Sequence, residues 1–197
     1  MPRRTSEEAE RTRKSLLQAA RRLFTEKGFD SVSLEEVAAE AAVTRGALYH
    51  HFGGKEGLFR EVVREVLEEQ GRRIVERAEL QSDPWEGLLA GCRAFLEEAQ
   101  RREYRQIVMI DAPAVLGMEA WKAFDDRYTT STLREALKEL EESRELASGD
   151  TEALSEALSG SMNQLALWAG VEEEGSRREL IERGVDIIEK LLSTVRA

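Results

Sequence analysis

Apolar residues recur along this chain at intervals of three and four, and no segment sustains an alternation of period two. With only 3 prolines in 197 residues, that periodicity predicts an all-α fold of about nine helices. The first helix is expected from about Ser6 to Lys27, with Leu16, Leu17, Ala20, Leu23 and Phe24 as its apolar stripe. Gly28 ends it as a C-terminal cap, and Phe29 folds back onto the core. Ser33 is a natural N-cap for a second helix, Glu36 completes a capping box, and Val37, Ala38 and Ala41 form the buried face. Ala42-Val43 turns the chain. Thr44 caps a third helix from Arg45 to about His51, with Leu48 and Phe52 pointing inward. Gly53-Gly54 ends that helix, and Lys55 opens a fourth reaching about Leu80, with Leu58, Phe59, Val62, Val63, Val66 and Leu67 at helical spacing.

Ser82-Asp83-Pro84 breaks and restarts the chain, with proline in the first turn of the next helix. Helices are then expected near 84–100, 103–111, 117–145, 150–170 and 175–195. Asp111-Ala112-Pro113, Ser148-Gly149-Asp150 and Glu172 to Gly175 separate the last four.

Residues 33–52 therefore read as two short helices joined by a tight turn, a helix-turn-helix whose second helix has the size to enter a DNA major groove. The net charge of −10 seems at odds with a polyanionic partner, but it is unevenly distributed. Residues 1–60 hold 11 Lys/Arg and 9 Asp/Glu, a net of +2, whereas residues 61–197 hold 18 and 30, a net of −12. Affinity for phosphate follows the local face rather than the molecular sum, and the basic balance falls on the motif. No apolar run approaches the roughly 18 residues of a membrane span. The basic N-terminal residues precede no apolar stretch, so a secretory signal is not expected and the chain is placed in the cytoplasm. Cys92 stands alone, which excludes an internal disulfide and a cysteine-cluster metal site.

Within the motif, Arg45 occupies the end of the third helix that points into the groove, where its planar fork can bind guanine O6 and N7. Gly46 and Ala47 carry almost no side chain and let the backbone approach base edges or a thymine methyl. Tyr49 and His50 lie outward and can donate to phosphates or bases. Lys55 with the N-terminus of the fourth helix suits a phosphate. The hydroxyls of Ser33 and Thr44 can reach phosphates, though capping alone explains both. Taken singly, Arg45 and Lys55 would be solvated charges and Tyr49 a packing residue. Adjacent His50 and His51 point in different directions and have no partner at metal-ligand spacing. The order of capped helix, turn, capped helix and lysine is what carries the reading.

The stretch GFDSVSLEEVAAEAAVTRGALYHHFGGKEGL resembles the DNA-binding domain of the tetracycline-repressor (TetR) family. The matching elements are Gly28-Phe29, Val37-Ala38, Val43-Thr44, Gly46-Ala47-Leu48-Tyr49, His51-Phe52, Lys55-Glu56 and Leu58. The resemblance implies a DNA-binding domain over residues 10–70, with Arg45, Gly46 and Ala47 facing bases. It makes Thr44, Tyr49, His50 or His51, and Lys55 mostly phosphate contacts. One departure is Ala42, where the family usually has glycine; a left-handed backbone there costs an alanine roughly 1–2 kcal/mol.

For residues 80–197 the resemblance implies a ligand-binding and dimerisation domain. The last two helices carry broad apolar faces, through Leu158, Met162, Leu165 and Trp168 and through Val185, Ile188, Leu191 and Leu192. Doubled about a two-fold axis, they would form a four-helix homodimer interface, which the resemblance favours over the alternative that both faces are monomer core. Candidate pocket residues are Phe95, Tyr104, Met109, Trp121, Phe124, Tyr128 and Trp168, with Trp85, Cys92 and Met118 beside them. Such a cavity suits a flat or flexible apolar effector. Arg105 and Asp111 are candidates to orient a polar group on it.

The sequence thus points to a ligand-responsive regulator of double-stranded operator DNA, most simply a repressor, with no cofactor and no enzymatic activity. No nucleophile-base constellation or phosphate-cradling glycine loop is visible. The alternative is a helical small-molecule-binding or interaction protein that no longer binds DNA.

Overall fold

A computed structural model describes residues 2–147, 149–170 and 174–197. Among the described residues the chain is helical without strands, and consecutive helical segments group into nine helices. We number them α1 (Pro2–Lys27), α2 (Leu34–Glu40), α3 (Arg45–Phe52), α4 (Lys55–Ala78) and α5 (Pro84–Glu98). The helix α6 joins Arg102–Tyr104, Arg105–Asp111 and Ala112–Leu116 without a break, and α7 joins Met118–Asp125, Asp126–Thr130 and Ser131–Glu142. The last two are α8 (Thr151–Gly170) and α9 (Glu174–Ser193). The expected breaks at Ser148 and Glu172 lie outside the described residues. Asp150 accepts the amide of Ala153 at 3.0 Å and so caps α8.

The chain forms two compact units, Met1–Val66 with Arg102–Trp121, and Leu67–Arg101 with Lys122–Ala197. In the first, the predicted α1 stripe is buried against Val37 and Ala38 of α2, Leu48 of α3 and Leu58, Phe59 and Val62 of α4. Phe24, Phe29 and Phe59 form an aromatic cluster with ring centroids 4.9–5.7 Å apart. Gly28 takes φ +76°, the left-handed conformation that terminates α1.

This unit also takes in α6. Asp111 accepts the amide of Phe29 at 2.8 Å, Glu103 receives a two-bond grip from Arg21 at 2.6 and 2.7 Å, and Arg102 donates to Glu26 O at 3.1 Å. Asp111 is therefore committed to the α1–α2 loop, where partial burial raises its pKa above the usual carboxylate range.

The expected break at Asp111-Ala112-Pro113 is absent, because Arg105–Asp111 winds as a π-helix. Ala112 N bonds back five residues to Ile107 O. The wider turn accommodates a proline ring that would collide with an α-helical carbonyl. The helix ends instead at Gly117, with φ +83°.

In the second unit the core is built by Leu88, Phe95 and Leu96 of α5, Leu137 and Leu140 of α7, Leu158 and Met162 of α8 and Ile188 and Leu192 of α9. The chain restarts with Pro84 in the first turn of α5, as the sequence predicts, and Asp83 caps the helix by accepting Glu86 N at 2.9 Å. The broad apolar faces of α8 and α9 are divided. Leu158, Met162, Val185 and Ile188 are buried, whereas Leu167, Trp168, Ile187 and Leu191 are 40–51% exposed.

Candidate nucleic-acid interface and effector cavity

The two short helices are held by caps the sequence encodes. Ser33 Oγ accepts Glu36 N at 3.1 Å, and Thr44 Oγ1 accepts Ala47 N at 3.3 Å. The capping box is only half made. Glu36 turns its carboxylate to Lys27, whose hydrogen bond lowers the Glu36 pKa below the usual range. Between the helices Ala42 adopts φ +54°, so the turn keeps its left-handed residue although the side chain is alanine. Val43 N then bonds to Ala38 O at 2.9 Å and closes the turn.

The helix α3 is pinned inward by Leu48, which is fully buried, and ends at Gly53 with φ +73°. Its opposite face carries Arg45, Gly46, Tyr49 and His50, all exposed, with Ala47 and His51 half-buried and Phe52 half-buried beneath Arg13. Arg45 does not project freely. Its guanidinium lies 2.5 Å from Glu35 of α2 and 3.2 Å from the Tyr49 hydroxyl, and it stacks over the Tyr49 ring at 5.3 Å. These neighbours, the Tyr49 hydrogen bond first, raise its pKa further.

Lys55 is likewise placed, its Nζ 3.3 Å from Asp30 O and 4.3 Å from the centre of the Phe29 ring. Ser33 and Thr44 are exposed beside these residues. The structure thus brings the predicted DNA-facing residues onto α3, its cap and the flanking helix starts. Sequence reading overlooked Gly57. A Cβ there would stand 2.0 Å from Phe52 O, so α4 crosses the end of α3 at a distance only glycine permits. A glycine inside an otherwise strong helix was the available signal.

The second unit holds a cavity of about 300 Å³ bounded by α4, α5, α7 and α8. Leu88, Cys92 and Phe95 of α5, Leu133 of α7 and Met162 of α8 form its apolar wall. Burial pushes the Cys92 thiol up to about 12, so it contributes as an apolar surface rather than a nucleophile.

Of the aromatic candidates from the sequence, Phe95 lies in this wall. Phe124 and Tyr128 stack on each other at 6.5 Å outside it, and Trp168 is exposed beneath Arg183. Tyr104, Met109 and Trp121 belong to the first unit, where Trp121 donates to Val108 O at 2.9 Å. Sequence reading missed the apolar lining residues Ile74, Val75, Leu88, Leu133 and Met162 as well as the polar Thr129, Thr130, Thr132 and Ser159 and the carboxylates Glu79, Glu135 and Glu139. Nothing in their local pattern marks them, since they are brought together from four separate stretches of the chain. Among the described residues no cluster of histidine, cysteine and carboxylate side chains could hold a metal ion, and no helix is long and apolar enough to cross a membrane.

Comparison with known proteins gives one answer along the whole chain. Residues 16–62 match the family of bacterial regulatory proteins of tetR type, and residues 85–195 match the tetracyclin repressor-like C-terminal domain. The chain is 27% identical over 158 residues to the transposon Tn10 TetC protein of Escherichia coli, covering 80% of each chain. It is 38% identical over 110 residues to the HTH-type transcriptional regulator AcrR of Shigella flexneri, 55% of this chain but about half (51%) of that one. Among solved structures, a TetR-family transcriptional regulator from Pectobacterium atrosepticum superimposes with a TM-score of 0.81 at 34% identity, covering 97% of both chains. RolR in complex with resorcinol shares the fold at a TM-score of 0.69 and 20% identity, over 92% of this chain and 89% of that one.

Proposed function

Because the chain belongs to the TetR family of transcriptional regulators, we propose that it is a repressor released from its DNA by a small molecule. It binds a palindromic operator as a homodimer in the cytoplasm, and the effector is a small apolar or aromatic compound. The observation that carries this reading is α3, anchored by buried Leu48 and presenting Arg45, Gly46 and Tyr49 to solvent. Arg45, Gly46 and Ala47 face bases; Ser33, Thr44, Tyr49, His50, His51 and Lys55 hold the backbone. Residues 10–70 form the DNA-binding domain and 80–197 the effector and dimer domain.

One eight-residue helix reads too few base pairs to be selective, whereas two engage half-sites roughly 34 Å apart. The exposed Leu167, Trp168, Ile187 and Leu191 support a dimer through α8 and α9, since four large apolar side chains on two adjacent helices mark an association face. Phe95 is the aromatic effector contact this reading retains. No enzymatic activity is assigned.

The test is a gel shift of the full chain on DNA upstream of its own reading frame, paired with sedimentation analysis. The reading expects a dimer that binds a two-fold symmetric site, and a Leu191→Arg variant that sediments as a monomer and loses the site. A monomeric wild type, or one that binds no duplex, favours the helical interaction protein without DNA affinity.

A further inference from the structure

The cavity between α4, α5, α7 and α8 offers hydrogen-bond acceptors but no cation. Among its described lining residues there is no lysine, arginine, histidine or side-chain amide. The hydroxyls at its inner end do not make up for this as donors. Thr129 Oγ1 lies 2.6 Å from Asp125 O and 2.7 Å from Asp125 Oδ1. Thr130 and Ser159 are 2.9 Å apart, and each hydroxyl is 3.3 Å from Asp125 Oδ2. A hydroxyl carries a single hydrogen. With those hydrogens directed to Asp125 or to one another, lone pairs are left for a ligand.

Asp125 itself is only 4% exposed, and no lysine or arginine among the described residues forms a salt bridge with it. The nearby Lys122 is taken by Glu156 at 2.5 Å. Glu79, Glu135 and Glu139 stand at the exposed rim, also without a salt-bridge partner among the described residues.

An anion entering this cavity meets three carboxylates and, among the described lining residues, no charged or amide donor, only the Thr132 hydroxyl beyond those committed to Asp125 or to one another, so its desolvation is poorly compensated. A neutral hydrocarbon gains the apolar wall and nothing from the acceptors. A protonated amine on an apolar body gains both. We infer that the cavity takes a small lipophilic amine, its body against Leu88, Phe95 and Met162 and its ammonium selected by the Glu79, Glu135 and Glu139 rim. The volume of about 300 Å³ lies at the small end for ligand sites and fits one or two fused rings. This inference deepens, and rests on, the effector reading above.

The experiment compares three probes with one skeleton, 1-naphthylmethylamine, 1-naphthalenemethanol and 1-naphthoic acid, by calorimetry on the full chain without DNA. The amine is expected to bind at least about tenfold tighter than the alcohol, and the acid weakest. The exposed-site variant Glu135→Gln/Glu139→Gln is expected to lose most of the preference for the amine while binding the alcohol as before. Equal affinities, a preference for the acid, no binding of the amine at millimolar concentration, or an unchanged preference in the variant each overturn the inference. A gel shift with the amine then tests the effector reading separately. Tight amine binding without release of DNA leaves the ligand class standing and removes the effector role.

Discussion

Arg45 and Glu35 sit 2.5 Å apart across the turn between α2 and α3, so the arginine proposed to read bases is already gripped by a carboxylate. The pair is exposed and contributes little to folding stability, but it restricts where the guanidinium fork points before DNA arrives. Removing Glu35 also removes a negative charge from the surface proposed to meet phosphates. Glu35→Ala is therefore expected to raise affinity for arbitrary duplex while narrowing the gap between operator and non-operator DNA. Arg45→Ala is expected to cost about 1–3 kcal/mol of operator discrimination. Competition gel shifts check both; unchanged operator selectivity in both variants removes Arg45 from base reading.

Lys55 stands at the start of α4 with its ammonium over the Phe29 ring. A phosphate contact carries no sequence information. Lys55→Ala should weaken operator and non-operator DNA alike, and reduce the slope of log affinity against log salt by about 1. Titrations across a salt series measure this. A loss confined to operator DNA would instead make Lys55 a base contact.

Gly57→Ala runs against helix propensity. In an unobstructed helix interior the change would stabilise by about 1 kcal/mol, yet here the new methyl would meet Phe52 O at 2.0 Å. The helices α3 and α4 must separate to admit it. We expect a loss on the order of 2–3 kcal/mol, seen as a Tm lower by roughly 5–10 °C, together with weaker operator binding. Thermal unfolding followed by circular dichroism decides; a raised Tm would show that the crossing is looser than the structure has it.

Cys92 predicts an alkaline weakness. Its thiol is pushed up to about 12 by burial from an ordinary value of 9.0. Being raised in the folded state, it leaves stability intact below about pH 9 and withdraws it as pH climbs toward about 12, because the unfolded chain releases the proton first. The loss approaches ~1.4 kcal/mol per pH unit inside that window. Urea unfolding of the wild type and of Cys92→Ser should show this pH-dependent difference, which would be missing if the thiol were reached by water.

The helix boundaries, caps and left-handed turn residues were legible because each depends on a few neighbouring side chains. Ser33 and Thr44 bond to backbone three residues away, and Gly28 and Gly53 take positive φ where the apolar stripes stop. Pro113 misled the reading because its clash is relieved by the π-helical turn before it, an adjustment that local propensity does not register. Asp111 illustrates the same limit, since its partner Phe29 N lies 82 residues away.

What the sequence determined alone was the succession of amphipathic helices and the polar residues exposed on the third, since periodicity and capping act within a turn or two of the chain. Only the tertiary structure decided that Arg45 is held by Glu35, that α3 and α4 meet at Gly57, and that residues from four helices enclose an acceptor-lined cavity. Those relationships depend on how distant surfaces pack, and packing is set by shape and charge in space rather than by order along the chain.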